Sequence, residues 1–201
     1  MKRSAVVRSL GLILGLSALA LDPAAAGDEA ADIVKRNVAA AGGEARLASV
    51  RALSFSAGGS VFTATPAGMM KVVVPGLPPA VIEVILVEPG RVRRNRLDGE
   101  AEISGVEKAR LTFYARLFGG CFTLRNFAAG LRYEGVRRFG PETFHRLGAD
   151  LPPMTVEFDV GTADGLLRQV ALRGANPDGS RYEEFFDMGP YLDVAGVMLP
   201  S

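Results

Sequence analysis

The sequence predicts a single α+β domain in which a curved antiparallel sheet forms an incomplete β-barrel under a helical lid. The 201 residues, 48% of them hydrophobic, are enough for one packed domain. Short apolar segments separated by Gly and Pro turns predict about nine or ten strands, most of them alternating with polar residues. Two segments, one near the N-terminus and one in mid-chain, change to the spacing of a helix.

Composition excludes several kinds of function. The formal net charge is +1, which gives no general reason to expect a nucleic acid as partner. The chain has one cysteine and one histidine, so an internal disulfide is impossible and a zinc site is improbable. We expect no cofactor and no metal.

The N-terminus has the order of an export signal. Lys2, Arg3 and Arg8 precede the uncharged run Leu10–Leu21, and the small residues Ala24–Ala26 follow it. The run is too short for a membrane span, which needs about 20 apolar residues. The sequence therefore predicts a signal peptide over residues 1–26, with cleavage near Ala26, and an exported, periplasmic domain over residues 27–201.

The domain is expected to open with a helix. Apolar residues recur at helical spacing from Ala30 to Ala41, Asp28 is a candidate N-cap, and Gly42-Gly43 ends the pattern. A short second helical turn over residues 44–50 is possible. Alternation over Leu53–Ala57 then predicts the first strand.

Two strand-like segments and a helix follow. Residues 69–74 predict a strand, and residues 80–87 predict a strand that is apolar on both faces. Such a strand must be covered on both sides, or must line a cavity with one face. The pattern over residues 106–118 predicts a helix with a broad apolar face, which Gly119-Gly120 ends.

The remaining segments predict mostly strands. The expected strands cover residues 91–97, 100–103, 121–127, 131–139, 142–147, 154–160, 166–172 and 180–188. Asp98-Gly99 and the turn over residues 176–179 are typical hairpin connections. Together these segments favour an antiparallel meander.

The apolar strands and the internal helix could enclose a cavity for an apolar ligand, although a domain of this size needs a similar number of apolar residues for a solid core. The candidate wall and lid residues are Phe55, Met70, Val72, Ile82, Val84, Leu86, Leu111, Phe113, Leu117, Phe118 and Phe122.

Four arginines form the densest charge in the chain: Arg91, Arg93, Arg94 and Arg96. On a strand the first two point to one face and the last two to the other. They could guard an exposed edge strand against aggregation. They could also form a rim that meets an anionic headgroup or an acidic partner, because guanidinium groups bind phosphate and carboxylate in pairs of hydrogen bonds.

Evidence for catalysis is weak. The chain lacks the common hydrolase, nucleotide-binding and metalloprotease motifs. Cys121 lies among apolar residues and is expected to be buried and inert, so a dyad with His145 is improbable. Glu157 and Asp159 share a strand face but are more typical of a solvated hairpin. We expect that the protein is not an enzyme.

Two segments resemble a known family. Residues 33–55, with a helix that ends in Gly-Gly before a short helix and a strand, are similar to the opening of proteins of the outer-membrane lipoprotein carrier and sorting (LolA/LolB-like) superfamily. Residues 156–172 and 178–200 resemble the closing hairpin and strands of that family, which finish here in Asp187, Tyr191, Asp193, Gly196, Val197 and Pro200. Residues 131–147 are like its central hairpin. The arginine that pins the lid in the classical carrier has no counterpart, because Glu88 precedes Pro89.

The resemblance implies a periplasmic half-barrel whose cavity holds acyl chains of a lipoprotein or lipid for carriage or sorting, without covalent chemistry. The alternative is an envelope sensor or interaction domain on the same scaffold, which binds a protein partner. We expect a monomer with peripheral membrane contact at most.

Overall fold

A computed structural model of the protein describes residues 23–75, 82–176 and 178–201. For residues 23–28 and 82 the backbone alone is described. The basic and apolar parts of the predicted signal peptide lie outside these ranges. Its predicted cleavage site lies in the first turns of the N-terminal helix.

Three α-helices form where the sequence predicts helical spacing. Helix α1 covers Pro23–Ala40 and begins before the Asp28 that we expected as its cap. Helix α2 is the short segment Glu44–Ser49, and α3 covers Gly105–Gly119. Within the described residues, no helix is long and apolar enough to cross a membrane.

The first half of the chain forms a six-stranded antiparallel meander. Its strands follow one another in space as in sequence. They are β1 (Leu53–Ala57), β2 (Ser60–Ala64), β3 (Met70–Pro75), β4 (Ile82–Glu88), β5 (Arg91–Arg96) and β6 (Gly99–Glu102).

The second half forms a five-stranded antiparallel sheet and a small hairpin. The larger sheet contains β7 (Arg132–Phe139), β8 (Glu142–Leu151), β9 (Met154–Gly161), β10 (Leu167–Ala175) and β11 (Arg181–Asp187). The hairpin consists of β12 (Tyr191–Val194) and β13 (Val197–Pro200). The Met198 N–H donates to the Ala41 carbonyl, which ties the hairpin to the end of α1.

The α+β class and the antiparallel pairing are confirmed. The described strands form three separate sheets and do not close into a barrel. The curved, incomplete barrel therefore stays a prediction.

One predicted strand is wrong. Residues 121–127 form a tight turn and a 3₁₀ helix over Leu124–Phe127. Cys121 and Phe122 have φ angles of 54° and 58°, in the left-handed region that side chains other than glycine rarely adopt. The apolar residues of this segment instead pack into the core beneath the turn, where Leu124 and Phe127 are buried.

The hydrophobic core lies between the two large sheets and on both sides of α3. Ile33 from α1, Val72 and Val87 from the first sheet, and Leu147 and Phe158 from the second belong to one cluster of buried side chains. This cluster therefore includes residues from both halves of the chain.

Removing a central core ring should destabilise the whole domain. Phe158 is fully buried, so Phe158→Ala is expected to lower the free energy of unfolding by about 3–5 kcal/mol in urea denaturation. Phe139 is 73% exposed, and Phe139→Ala serves as the control, with an expected change within about 0.5 kcal/mol. Equal effects of the two substitutions would contradict this assignment of the core.

Candidate binding site around helix α3

Helix α3 is packed between the two large sheets. It contacts β2, β4 and β5 of the first sheet. On the other side, the Phe113 ring lies 6.1 Å from the Phe158 ring, and the Tyr114 ring lies 5.4 Å from the Phe186 ring, centroid to centroid. The helix thus fills the interior that the two sheets share.

An aromatic cluster surrounds the C-terminal half of α3. Phe55, Phe62, Phe118 and Phe122 form this cluster. The Phe118 ring lies 5.0 Å from Phe55, 5.8 Å from Phe62 and 5.1 Å from Phe122. Phe55 and Phe122 are only half-buried, so the cluster reaches the surface at one side.

The C-terminal end of α3 is anchored to its surroundings. Gly119 lies so close to the Thr65 carbonyl that a Cβ on this glycine would overlap with the carbonyl oxygen. The N–H groups of Cys121 and Phe122 donate to the carbonyls of Phe118 and Leu117, at 2.8 and 2.9 Å. These contacts fix the point at which the helix leaves the interior.

Polar contacts near the surface hold the rest of α3. Glu107 pairs with Arg94 of β5, with 2.5 Å between the charged groups. The Tyr114 hydroxyl donates to the Glu184 carboxylate of β11 at 2.7 Å, and Arg110 lies 3.8 Å from the same carboxylate. The helix is therefore tied to the first sheet by Glu107 and to the second by Tyr114 and Arg110.

The Tyr114 hydroxyl stays protonated in this contact. Burial, and next its hydrogen bond to Glu184, raise the pKa of Tyr114 far above its ordinary value. The hydroxyl therefore remains the donor in its contact with the Glu184 carboxylate.

The predicted wall and lid residues whose side chains are described fall into three groups. Met70, Val72, Leu111, Phe113, Leu117 and Phe118 are buried in the interior, while Phe55 and Phe122 are half-buried in the aromatic cluster. Val84 and Leu86 lie on the opposite face of the first sheet. The side chain of Ile82 lies outside the described residues.

The position of Val84 and Leu86 follows from the register of β4. Met70 is paired with Val87, and Val72 with Ile85. Because directly paired residues share a sheet face, Ile85 and Val87 point inward and their neighbours Val84 and Leu86 point outward. The prediction for β4 followed the other face, because the inward face includes the charged residue Glu83 and is the less apolar of the two in sequence.

The expectation that Arg91 to Arg96 form an exposed edge strand is wrong. The turn at Asp98-Gly99 adds β6, so β5 lies inside the sheet. Register does separate the arginines as predicted, with Val92 and Arg94 on the face of Ile85 and Val87.

Carboxylates neutralise all four arginines of β5. On the outer face, Arg91 pairs with Glu100, and Arg93 with both Glu88 and Glu100. On the inner face, Arg94 and Arg96 share Glu83, at 2.9 and 2.6 Å. The strand therefore presents much less positive charge than its sequence indicates.

The side chains considered for catalysis, those of Cys121, Glu157 and Asp159, are either buried or paired with arginines. Cys121 is buried, and burial raises the pKa of its thiol. Asp159 is held by Arg146 at 2.7 Å, and Glu157 by Arg146 at 3.0 Å and also by Arg173. In the described part of the chain, no three His, Cys, Asp or Glu side chains are grouped so as to hold a metal ion.

The predicted site residues do not include three residues that the structure places around α3: Phe62, Tyr114 and Glu184. Phe62 could have been identified from the sequence, because residues 60–64 contain the β-branched Val61 and Thr63 and follow the predicted strand Leu53–Ala57 after a Gly-Gly turn. Tyr114 falls within the helix predicted over residues 106–118, but the helical pattern does not indicate its polar partner. Glu184 lies 70 positions farther along the chain, and no local pattern connects the two.

Comparison with known proteins identifies no family for this chain and one distantly similar solved structure. No family model matches the chain, and no curated protein matches it. A solved structure with a distant likeness is the crystal structure of MucB in complex with MucA(peri), at 15% identity and a TM-score of 0.30. The match covers 86% of this chain and 62% of that one, so this chain spans less than two thirds of its length. A likeness this weak carries no conclusion about function.

His145 provides a pH test of the packing between α1 and the second sheet. Its Nδ1 is buried without a hydrogen-bond partner, and its ring lies 6.0 Å from the Tyr133 ring. Burial, and next the charge of Arg36, lower the pKa of His145, against a smaller opposing effect of Glu29. The neutral imidazole is therefore the form that fits.

Because the folded pKa is below the unfolded value of about 6.5, the unfolded chain binds the proton more readily. The free energy of unfolding should therefore fall as pH decreases below about 6.5, and more steeply in the wild type than in His145→Gln. As this is the only histidine, its NMR titration is unambiguous. A titration midpoint at or above the value measured in urea would contradict the prediction.

Proposed function

We propose that this chain is a non-catalytic binding protein of the cell envelope that holds an acyl chain of a lipid or lipoprotein between its two sheets, with α3 as a movable lid. The observation that carries the proposal is the placement of α3. It fills the shared apolar interior, is anchored at its C-terminal end, and makes its polar contacts with the two sheets near the surface. The envelope location rests on the predicted signal peptide.

An acyl chain would replace the apolar side chains of α3 when the helix swings out about its anchored end. Burial of each methylene stabilises by about 0.8 kcal/mol, so ten methylenes supply about 8 kcal/mol. Exposing Leu111, Phe113 and Leu117 costs about 1.5–3 kcal/mol for each side chain, so the loss is of the same size as this gain. The half-buried Phe55 and Phe122 would border the entrance, since the aromatic cluster reaches the surface there.

The contact between Glu107 and Arg94 is the part of the lid that is simplest to weaken. The Glu107 side chain is 39% exposed, and partly exposed ion pairs contribute about 0.2–1 kcal/mol. Glu107→Gln is therefore expected to raise the equilibrium uptake of a fluorescent fatty acid about twofold to fivefold. Fluorescence titration measures the uptake, and native mass spectrometry counts the bound molecules.

Glu100→Gln is the matched control. Glu100 also pairs with arginines of β5, but on the outer face, away from α3. Its substitution should leave uptake unchanged. Acyl-chain binding is refuted if native mass spectrometry shows only the ligand-free mass and neither the wild type nor Glu107→Gln binds the fluorescent probe.

A second candidate is an envelope interaction domain that binds a protein partner at its surface. The tight packing of the interior favours it, because Leu111, Phe113 and Leu117 are all buried and leave the core filled. Chemical crosslinking in the cell envelope distinguishes the two candidates. A specific protein adduct together with ligand-free mass supports the interaction domain, and a lipid adduct supports the carrier.

A further inference from the structure

A groove follows the outer side of α3. Its volume is about 370 Å³, and it lies between one stripe of the helix and the tip of the hairpin that joins β8 to β9. The stripe consists of Gly105, Lys108, Ala109, Thr112, Phe113 and Arg116, and the tip contributes Asp150, Leu151, Pro152 and Pro153. A second groove of about 340 Å³ shares Thr112 and Arg116, so the two meet along the helix.

Arg116 is an unusual cation in this fold. Of the half-buried arginines within the described ranges, it alone has no carboxylate within 4.0 Å. Its guanidinium lies 4.5 Å above the Phe127 ring and donates to the Asn126 carbonyl. These contacts hold the charge in place without neutralising it.

The acids that border the two grooves are already paired. Asp150 binds Arg132 at 2.7 Å, and Glu88 binds Arg93 at 2.9 Å. Lys108 has a long contact of 4.0 Å with the largely exposed Glu102 carboxylate. The groove therefore carries one uncompensated charge, at Arg116, and a second, weakly paired cation at Lys108.

These cations form a row with a defined spacing. Lys108, Thr112 and Arg116 follow one another at intervals of four residues, so they lie on one side of α3, and the Cα atoms of Lys108 and Arg116 are separated by about 12 Å along the helix axis. In an extended peptide, residues four positions apart are separated by about 13 Å. The apolar surface of Leu151, Pro152 and Pro153 lies beside the row.

We propose that this groove binds an extended acidic peptide segment of a protein partner, with two carboxylates four residues apart and small apolar side chains between them. A single phosphate headgroup would contact one cation at a time, whereas the peptide contacts both. The inference does not depend on acyl-chain binding in the interior.

The test uses labelled nine-residue peptides and fluorescence anisotropy with the full protein. The probe carries Glu at positions 3 and 7 between Ala and Val residues, one control peptide carries Gln at both positions, and another carries Glu at positions 3 and 5. The first peptide should bind at least about fivefold more tightly than either control, and high salt should weaken its binding.

Substitutions locate the contact. Lys108→Glu is expected to weaken binding of the first peptide at least about tenfold, and Arg116→Gln by a similar factor. Lys71→Glu is the matched control, because Lys71 is exposed on the outer face of the first sheet and should leave binding unchanged. Lys108 is on the surface, so its variant remains informative if Arg116→Gln fails to fold.

Vesicles that contain phosphatidylglycerol form the second arm of the experiment. Equal binding of the three peptides, or no effect of Lys108→Glu on the first peptide, would overturn the proposal. So would vesicle binding that depends on Lys108 in the absence of peptide binding.

Discussion

Both sheets of this protein depend on the burial of one helix between them. α3 supplies Leu111, Phe113, Leu117 and Phe118 to the core that the two sheets share. Fully burying one such side chain is worth about 1.5–3 kcal/mol, which makes the helix a principal source of cohesion between the halves. The sheets have no strand pairing with each other in the described part of the chain, so side-chain packing joins them.

The same helix explains why the polar contacts are arranged as they are. A helix between two sheets exposes one stripe, and the polar residues at its margins meet strand residues from both sides. Glu107 meets Arg94 of the first sheet, and Tyr114 meets Glu184 of the second. These pairs contribute modestly to stability, but they fix the rotation of α3 about its axis, because each pair reaches a different sheet.

Charge pairing also decides which cations are available to a partner. The arginines of β5 dominate the sequence, yet each has a carboxylate on an adjacent strand or on α3. Lys108 and Arg116 are inconspicuous in sequence, since they belong to a mixed helical segment. Their charge becomes evident only in the structure, because the neighbouring Asp150 and Glu88 are paired with Arg132 and Arg93.

Much of the local structure could be predicted from the sequence. Strand alternation and Gly or Pro turns located most strands, and the helical spacing located α1 and α3 to within a few residues. The strand predicted over residues 121–127 was wrong, because the alternating pattern of this segment is compatible with both a strand and a tight turn over the core. The hairpin of β12 and β13 was not assigned as two strands, since its segments are short and weakly patterned.

The sequence by itself determined the fold class, the existence of an apolar internal helix, and the residue types available to the interior. It could not determine which face of β4 points inward, because both faces are apolar and only the pairing of Val72 with Ile85 selects one. Nor could it connect Tyr114 with Glu184 or identify Arg116 as unpaired. Those features depend on contacts between distant parts of the chain, and only the packing of two sheets around one helix brings them together.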